Sequence, residues 1–202
     1  PNIGGRYSAL SLVGMIPAAL IGVEIDKILQ NALAVASQEK ADFFSGKGDS
    51  TGCFLGAALG TLAQYGRDKL TLILPPSWGS FGDWLEQLIA ESTGKEGKGI
   101  LPVLNEPQMD VSSYGEDRVF VIFNHNEDDW SSWITRLASA GHPVLKVRIK
   151  GFYDLGGQMF LWEMATAVAA HIMGINPFDQ PDVEATKKHT KQMIAQFKIN
   201  QT

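Results

Sequence analysis

The sequence predicts an α/β protein with three layers, in which a parallel sheet is flanked by helices, and an additional helical segment at the N-terminus. Three observations predict this class. Short apolar runs of strand length recur through the last two thirds of the chain, helix-like segments separate them, and the first third contains helix-like patterns only. Strands that alternate with helices form parallel sheets, because each crossover returns the chain to the same edge.

The first third of the chain has the apolar spacing of amphipathic helices. One helix is indicated by apolar residues three and four positions apart: Ile25, Ile28, Leu29, Ala32, Leu33 and Ala36. A second follows a polar break at 45–52 and has its apolar face at Phe54, Leu55, Ala58, Leu59 and Leu62. We therefore expect a helical segment over residues 1–66, leading into an α/β domain over residues 67–202.

The α/β domain is predicted from four apolar runs, at residues 70–74, 99–104, 119–123 and 144–149. Helices are predicted at residues 81–92, 130–138 and 160–173. Gly174 is expected to end the last of these, because glycine favours the left-handed conformation found after helices. Pro181 opens a C-terminal helix that runs to about residue 197. In sheets of this type, ligands gather at the carboxyl ends of the strands.

Composition argues against several functions. The net charge of −5 gives no basic surplus for a nucleic-acid partner. The apolar run at residues 9–23 is too short and too interrupted by serine, glycine and proline for a membrane span. Cys53 is the only cysteine, which rules out an intrachain disulfide and fits a reducing cytoplasm. No phosphate-binding glycine loop, metal-ligand spacing or dinucleotide fingerprint is present, so we expect no cofactor and no metal.

Three short runs in the chain resemble the glucose-6-phosphate isomerase family. They are Gly4–Ser8, which reads GGRYS, Glu91–Lys95, which reads ESTGK, and Ile175–Lys187, which contains INPFDQPDVE. They occur in the family's order and resemble its second half only. The Pro-Asp pair at 181–182 is most similar to the isomerase part of bifunctional transaldolase/glucose-6-phosphate isomerase proteins.

The resemblance implies a sugar isomerase domain of flavodoxin-like character, which interconverts glucose 6-phosphate and fructose 6-phosphate through an enediol. The family's Ser/Thr-rich phosphate loop has no counterpart here, and Pro1 is not a natural start. We therefore expect a chain cut from a longer one, with isomerase or transaldolase domains upstream, which forms part of an enzyme and is incomplete when alone. A homodimer is a further expectation from the family.

Isomerisation through an enediol needs a base that moves a proton between C1 and C2, and a cation that stabilises the enediolate. The resemblance assigns the base to Glu91 and the cation to Arg6. Gln87, which we expect to bind the substrate, lies four residues before Glu91 and therefore shares its helix face. Without the resemblance, Glu91 would be interpreted as a solvated glutamate, and Arg6 as an arginine paired with a nearby carboxylate.

The resemblance also implies that Gln180 contacts the sugar and that Lys187 handles the ring oxygen. These residues are nearly two helical turns apart and project from similar faces. An alternative interpretation is that Lys187 belongs, with neighbouring lysines, to a basic helix face that is exposed to solvent. The family's ring-opening histidine follows a Gly-Glu-Pro run, whereas here no histidine follows Asn105-Glu106-Pro107 until position 125. A noncatalytic sugar-phosphate-binding or regulatory module is therefore the alternative function, and a dinucleotide-binding domain is a weaker one.

Overall fold

The computed structural model describes residues 4–46, 48, 50–124, 131–179 and 181–200. Its strands are β1 (Lys69–Ile73), β2 (Leu101–Val103), β3 (Arg118–Asn124) and β4 (Val144–Arg148). Its helices are α1 (Leu12–Leu20), α2 (Ile25–Ser45), α3 (Thr51–Gln64), α4 (Gly79–Thr93), α5 (Ser131–Ser139), α6 (Asp154–Met173) and α7 (Pro181–Asn200). The predicted α/β class with an N-terminal helical segment is confirmed.

The four strands form one parallel sheet in the order β2-β1-β3-β4. Leu70 pairs with Pro102 on β2 and with Val119 on β3, which fixes the register on both sides of the central strand β1. Pro102 cannot donate a hydrogen bond to a sheet, and it is tolerated because β2 is an edge strand. This proline also helps to explain why β2 is shorter than the predicted run of residues 99–104.

The sheet is buried on both faces, which gives the three layers. Leu70, Leu72, Val119, Val121 and Phe123 project into one core with side chains of α3, α4 and α6. The alternate residues Phe120 and Ile122 project into a second core with Trp133 and Leu137 of α5. Successive side chains of a strand point to opposite faces, so β3 contributes to both cores.

Helix α6 packs tightly against the helices of the N-terminal segment. A Cβ atom built on Gly56 of α3 would lie 2.4 Å from the carbonyl oxygen of Ala165, and one on Gly156 of α6 would lie 2.0 Å from that of Ile28 on α2. Only glycine allows this approach. Gly156 and Gly157 lie inside α6, which begins at Asp154 and not at residue 160 as predicted. Sequence reasoning missed this turn because glycine usually weakens a helix.

The N-terminal helical segment and the α/β part share one core, since Leu55 and Leu59 of α3 belong to the same cluster as β1. Division of the chain at residue 66 remains a prediction. At the other end, every side chain of α7 from residue 186 to residue 197 is exposed. Within the described ranges, no helix is both long enough and apolar enough to cross a membrane.

Candidate active site

Arg6 is buried near the N-terminus although it carries a charge. It lies in a short 3-10 turn, Gly5–Tyr7, and only 2% of it is exposed. Its Nη1 atom donates hydrogen bonds to Ser92 Oγ at 2.7 Å and to the carbonyl oxygen of Pro177 at 2.8 Å. Its Nη2 atom donates to the carbonyl oxygen of Asp179 at 3.2 Å. These partners are uncharged, so they fix the guanidinium without cancelling its charge.

The carboxylate of Glu91 lies beside the Nε atom of Arg6. Glu91 Oε2 is 3.5 Å from Arg6 Nε, a distance typical of an ion pair. Arg6 Nε is buried and makes no hydrogen bond to any group among the described residues. A buried donor without a partner is uncommon and calls for an explanation. An oxygen of a bound anion could accept this hydrogen bond.

Glu91 is accessible to a ligand and is oriented by its own helix. Its side chain is 38% exposed. Gln87 Nε2 donates to Glu91 Oε1 at 3.2 Å, as the four-residue spacing predicts. The opposite face of α4 is buried through Leu85, Leu88 and Ile89. The predicted association of Gln87, Glu91 and Arg6 is therefore present in the structure, although their roles remain predictions.

Lys95 is a second buried cation of this site, and sequence reasoning missed it. Its side chain is 3% exposed. Its Nζ atom donates to the carbonyl oxygens of Asn176 at 2.6 Å and Asp179 at 2.8 Å, and to Asp179 Oδ1 at 2.8 Å. The residues that it contacts form the Asn176–Asp179 turn. Arg6 and Lys95 therefore hold the same turn, and the three runs that resemble the family meet there.

Glu163, a half-buried glutamate on α6, affects the pKa of Tyr7. Tyr7 donates its hydroxyl hydrogen to Ser92 Oγ at 3.3 Å, and its ring contacts Phe178 with centroids 5.2 Å apart. Burial raises the pKa of Tyr7, and the negative charge of Glu163 adds to this increase. Burial also raises the pKa of Glu163 to about 7, and its Oε1 atom makes no hydrogen bond to the described residues. Glu163 lies within an apolar helix pattern, which hid it from sequence reasoning.

The cluster formed by Arg6, Glu91 and Lys95 lies at the edge of the sheet where the strands begin. This differs from the expectation that a ligand site lies at the carboxyl ends of the strands. Helix α4 runs from β1 back to the start of β2, so Glu91 and Ser92 at its end lie near the beginning of that strand. Thr93 Oγ1 accepts a hydrogen bond from Ile100 N at 2.9 Å, just before β2. The general rule describes loops that follow strands. Here the side chains come from a helix end and from distant loops.

The remaining predicted site residues are not brought into this cluster by the described part of the structure. Gln180 lies outside the described residues. Lys187 lies on α7, where it is exposed and makes no hydrogen bond or ion pair with another residue that the structure describes. Its assignment to the sugar ring remains a prediction.

The histidines that the structure describes do not supply the absent ring-opening group. His142 contacts the rings of Tyr114 and Phe120, which belong to the core between the sheet and α5. Burial lowers its pKa, with a further decrease from the charge of Arg67. His171 and His189 are exposed on α6 and α7, and His125 lies outside the described residues. In the described ranges, no group of three or more metal-binding side chains is present.

A cavity of about 700 Å³ lies close to this site but does not include its charged pair. It is lined by residues such as Ala90, Gly94, Lys98 and Met173. Lys98 Nζ already donates to the carbonyl oxygen of Met173 at 2.8 Å. We place the candidate site at Arg6 and Glu91, where a buried donor without a hydrogen bond to the described residues lies beside an accessible carboxylate.

The fold and the cluster together define an α/β protein of the sugar isomerase type, with a buried arginine beside an accessible glutamate. Glucose-6-phosphate isomerase of Clostridium tetani is 30% identical over 93% of this chain and 50% of that protein. The structure of a hypothetical protein from Thermus thermophilus matches with a TM-score of 0.73 and 22% identity, over 95% of this chain and 55% of that one.

A glucose-6-phosphate isomerase structure from Chlamydia trachomatis matches with a TM-score of 0.71 and 17% identity, over 97% of this chain and 48% of that one. These structural matches support the fold. No protein-family model matches the chain. The chain is similar to curated glucose-6-phosphate isomerases over 93% of its own length, and it spans about half the length of these relatives. A transaldolase fusion remains a prediction.

Proposed function

We propose that this chain carries the proton-transfer residues of a glucose-6-phosphate isomerase. The observation that supports the proposal most is the ion pair formed by Glu91 and Arg6, in which the buried Nε atom of Arg6 lies 3.5 Å from Glu91 Oε2 and makes no hydrogen bond to the described residues. A base and a cation at one small site are what an enediolate requires. The name of the relatives supports the choice of substrate pair.

In this mechanism, Glu91 removes the proton from C2 of the open-chain glucose 6-phosphate. The C2 electrons form the enediolate, and the negative charge that develops on oxygen is stabilised by Arg6. The hydroxyl proton of O2 then passes to O1, and Glu91 returns its proton to C1 as C2 becomes the carbonyl carbon, which gives fructose 6-phosphate. No cofactor takes part. Gln87 orients the carboxylate of Glu91 through the hydrogen bond of 3.2 Å.

The rest of the site would come from Lys187, Gln180 and parts of the protein beyond this chain. Gln180 would contact the sugar, and Lys187 would assist at the ring oxygen. The phosphate group would be held by upstream isomerase or transaldolase domains, and a homodimer could complete the site. The exposed side chains of α7 from residue 186 to residue 197 support contacts of this kind. A cytoplasmic location fits these proposals.

The proposal is tested by Glu91→Gln in the full-length protein, with Glu86→Gln as the matched control. Glu86 is an exposed glutamate of the same helix. Glutamine keeps the size of Glu91 but is not a base, so we expect kcat to fall by at least about 100-fold with little change in KM. The control should keep wild-type kcat. Isomerase activity of Glu91→Gln within about threefold of wild type would sink the assignment.

The same measurement separates the catalytic proposal from the noncatalytic alternative. A wild-type protein that binds fructose 6-phosphate without turnover would favour a sugar-phosphate-binding module. The absence of a histidine between residues 107 and 125 is the observation that favours this alternative. The accessible carboxylate beside a buried arginine favours the enzyme.

A further inference from the structure

Lys95 is buried more completely than a lysine in a turn usually is. It begins the two-residue hairpin Lys95–Lys98, whose backbone hydrogen bonds measure 3.1 Å and 3.0 Å. Glu96 and Gly97 at its tip have φ angles of 55° and 72°. This tight hairpin directs the Lys95 side chain toward the Asn176–Asp179 turn. Burial of an ammonium group is costly unless all of its donors are used, and here its three contacts use them.

The turn that Lys95 holds is also the main support of Arg6. Of the three hydrogen bonds that Arg6 donates, two go to the carbonyl oxygens of Pro177 and Asp179 in this turn. The carbonyl oxygen of Asp179 accepts from both Arg6 and Lys95. Displacement of the turn would therefore release the guanidinium, and the Nε atom would lose its orientation toward Glu91.

The contacts of Lys95 are not those of a simple ion pair. Two of its three acceptors are main-chain carbonyl oxygens, and the carboxylate of Asp179 is 53% exposed. An ion pair with an exposed carboxylate contributes little, because water screens it. Most of the effect of Lys95 should therefore come from docking the backbone of the turn.

We propose that Lys95 is a positioning residue, which docks the Asn176–Asp179 turn and thereby aims Arg6 at the reacting atoms. The inference rests on the proposed isomerase function. Lys95 touches neither Glu91 nor the place of the substrate in this scheme. It acts through the turn.

The test compares Lys95→Met with Lys98→Met and Asp179→Asn in the full-length protein. Lys98 is the matched control, since it lies in the same hairpin and donates to a main-chain carbonyl oxygen outside the turn. A misaimed catalytic group costs about a hundredfold. We therefore expect kcat of Lys95→Met, per folded protein, to fall about 10- to 100-fold, with KM for fructose 6-phosphate within about threefold. Lys98→Met should keep wild-type kcat, and Asp179→Asn should show a smaller loss than Lys95→Met.

A readout that does not depend on turnover separates this inference from the proposed function. Amide hydrogen exchange at residues 176–179 should be faster in Lys95→Met than in Lys98→Met, while exchange in β1 and β3 stays at the wild-type rate. Equal kcat or equal exchange in the two lysine variants would overturn the inference. A wild-type protein without isomerase activity would defeat the proposed function, and the exchange comparison would still decide whether Lys95 docks the turn.

A milder variant keeps the test decisive if Lys95→Met does not fold. Lys95→Gln retains one amide donor near the turn, and the same two measurements apply to it. We expect a kcat between those of wild type and about one tenth of wild type, with faster exchange at residues 176–179. Wild-type values for both quantities would overturn the inference.

Discussion

Arg6, which is buried, and Arg118, which is partly buried, lie beside similar aromatic rings, but the groups that accept their hydrogen bonds differ in charge. Arg6 lies 5.7 Å from the ring of Tyr7, and Arg118 lies 5.8 Å from the ring of Tyr114. Arg118 forms two hydrogen bonds with the carboxylate of Glu106, at 2.8 Å and 3.0 Å. Arg6 donates its hydrogen bonds to two carbonyl oxygens and a hydroxyl group instead.

The difference shows how a fold can hold a cation rigidly and still leave its charge available. The carboxylate of Glu106 cancels the charge of Arg118, and the pair joins β3 to the segment after β2. The neutral oxygens around Arg6 satisfy the hydrogen bonds of its Nη atoms, and the nearby carboxylate of Glu91 balances its charge only in part, because Glu91 is partly solvated. Glu91, the carboxylate near it, is 38% exposed and contacts Nε without a hydrogen bond. Such an arginine suits an anion that forms only during a reaction.

The largest effect that we expect from this comparison is on catalysis. Arg6→Lys keeps the charge but loses the rigid set of donors, so the remaining amine cannot satisfy the turn and face Glu91 together. We expect kcat per folded protein to fall about 100-fold, the size of the loss of one oxyanion donor. Arg118→Lys should leave kcat within about threefold of wild type. Steady-state kinetics measure kcat of both variants, and similar losses of kcat would contradict the comparison.

A second prediction concerns stability, for which we expect the larger loss at the pair of Arg118 and Glu106 and the smaller loss at the pair of Arg6 and Glu91. Glu106→Gln leaves the charge of Arg118 without its carboxylate in a mostly buried place, since the two side chains are 20% and 14% exposed. We expect the free energy of unfolding to fall by about 2 kcal/mol. Glu91→Gln should change it by less than about 0.5 kcal/mol, because Glu91 is partly solvated and Arg6 keeps its three neutral hydrogen-bond acceptors. Urea unfolding of the two variants measures both changes, and a larger loss for Glu91→Gln would refute the distinction.

The sequence predicts much of this arrangement because its signals are local. Apolar runs and spacing predict the strands and most helix ends, and Gly174 ends α6 with a φ of 71° as expected. The spacing of Gln87 and Glu91 predicts that they share a helix face, which their hydrogen bond confirms. The meeting of Arg6 with Glu91 is expected only through the family resemblance, since no local signal relates positions so far apart in the chain.

The missed features depend on contacts between distant segments. Lys95 lies between glycines and another lysine, a composition typical of a solvated turn, and its burial depends on the Asn176–Asp179 turn. Glu163 is surrounded in sequence by apolar residues, so its half-buried state depends on how α6 faces Tyr7. The amino-edge position of the site also depends on assembly, because it follows from the direction of α4 relative to the sheet.

The smallest expected effect is on stability and concerns Glu163, another carboxyl group near this site. It tests whether Glu163 is protonated in the fold and therefore adds no negative charge near Arg6. Burial raises the pKa of Glu163 from 4.5 to about 7, so a large fraction is protonated near neutral pH. The fold therefore binds a proton that the unfolded chain has released between these two values. This contribution to stability is complete below about pH 4.5 and is lost as the pH rises through about 7. Because the side chain is partly solvated, we expect a loss of about 1–2 kcal/mol.

Glu163→Gln mimics the protonated carboxyl group and should remove this pH dependence, while Glu86→Gln should retain it. The measurement is the free energy of unfolding of wild type and both variants, from about pH 5 to about pH 8. If Glu163→Gln keeps the wild-type slope, Glu163 is ionised in the fold at neutral pH. Its negative charge would then act on Tyr7, whose ring lies beside the guanidinium of Arg6. In that case two carboxylates, those of Glu91 and Glu163, would balance the charge of Arg6, and the contrast with Arg118 and Glu106 would be one of degree.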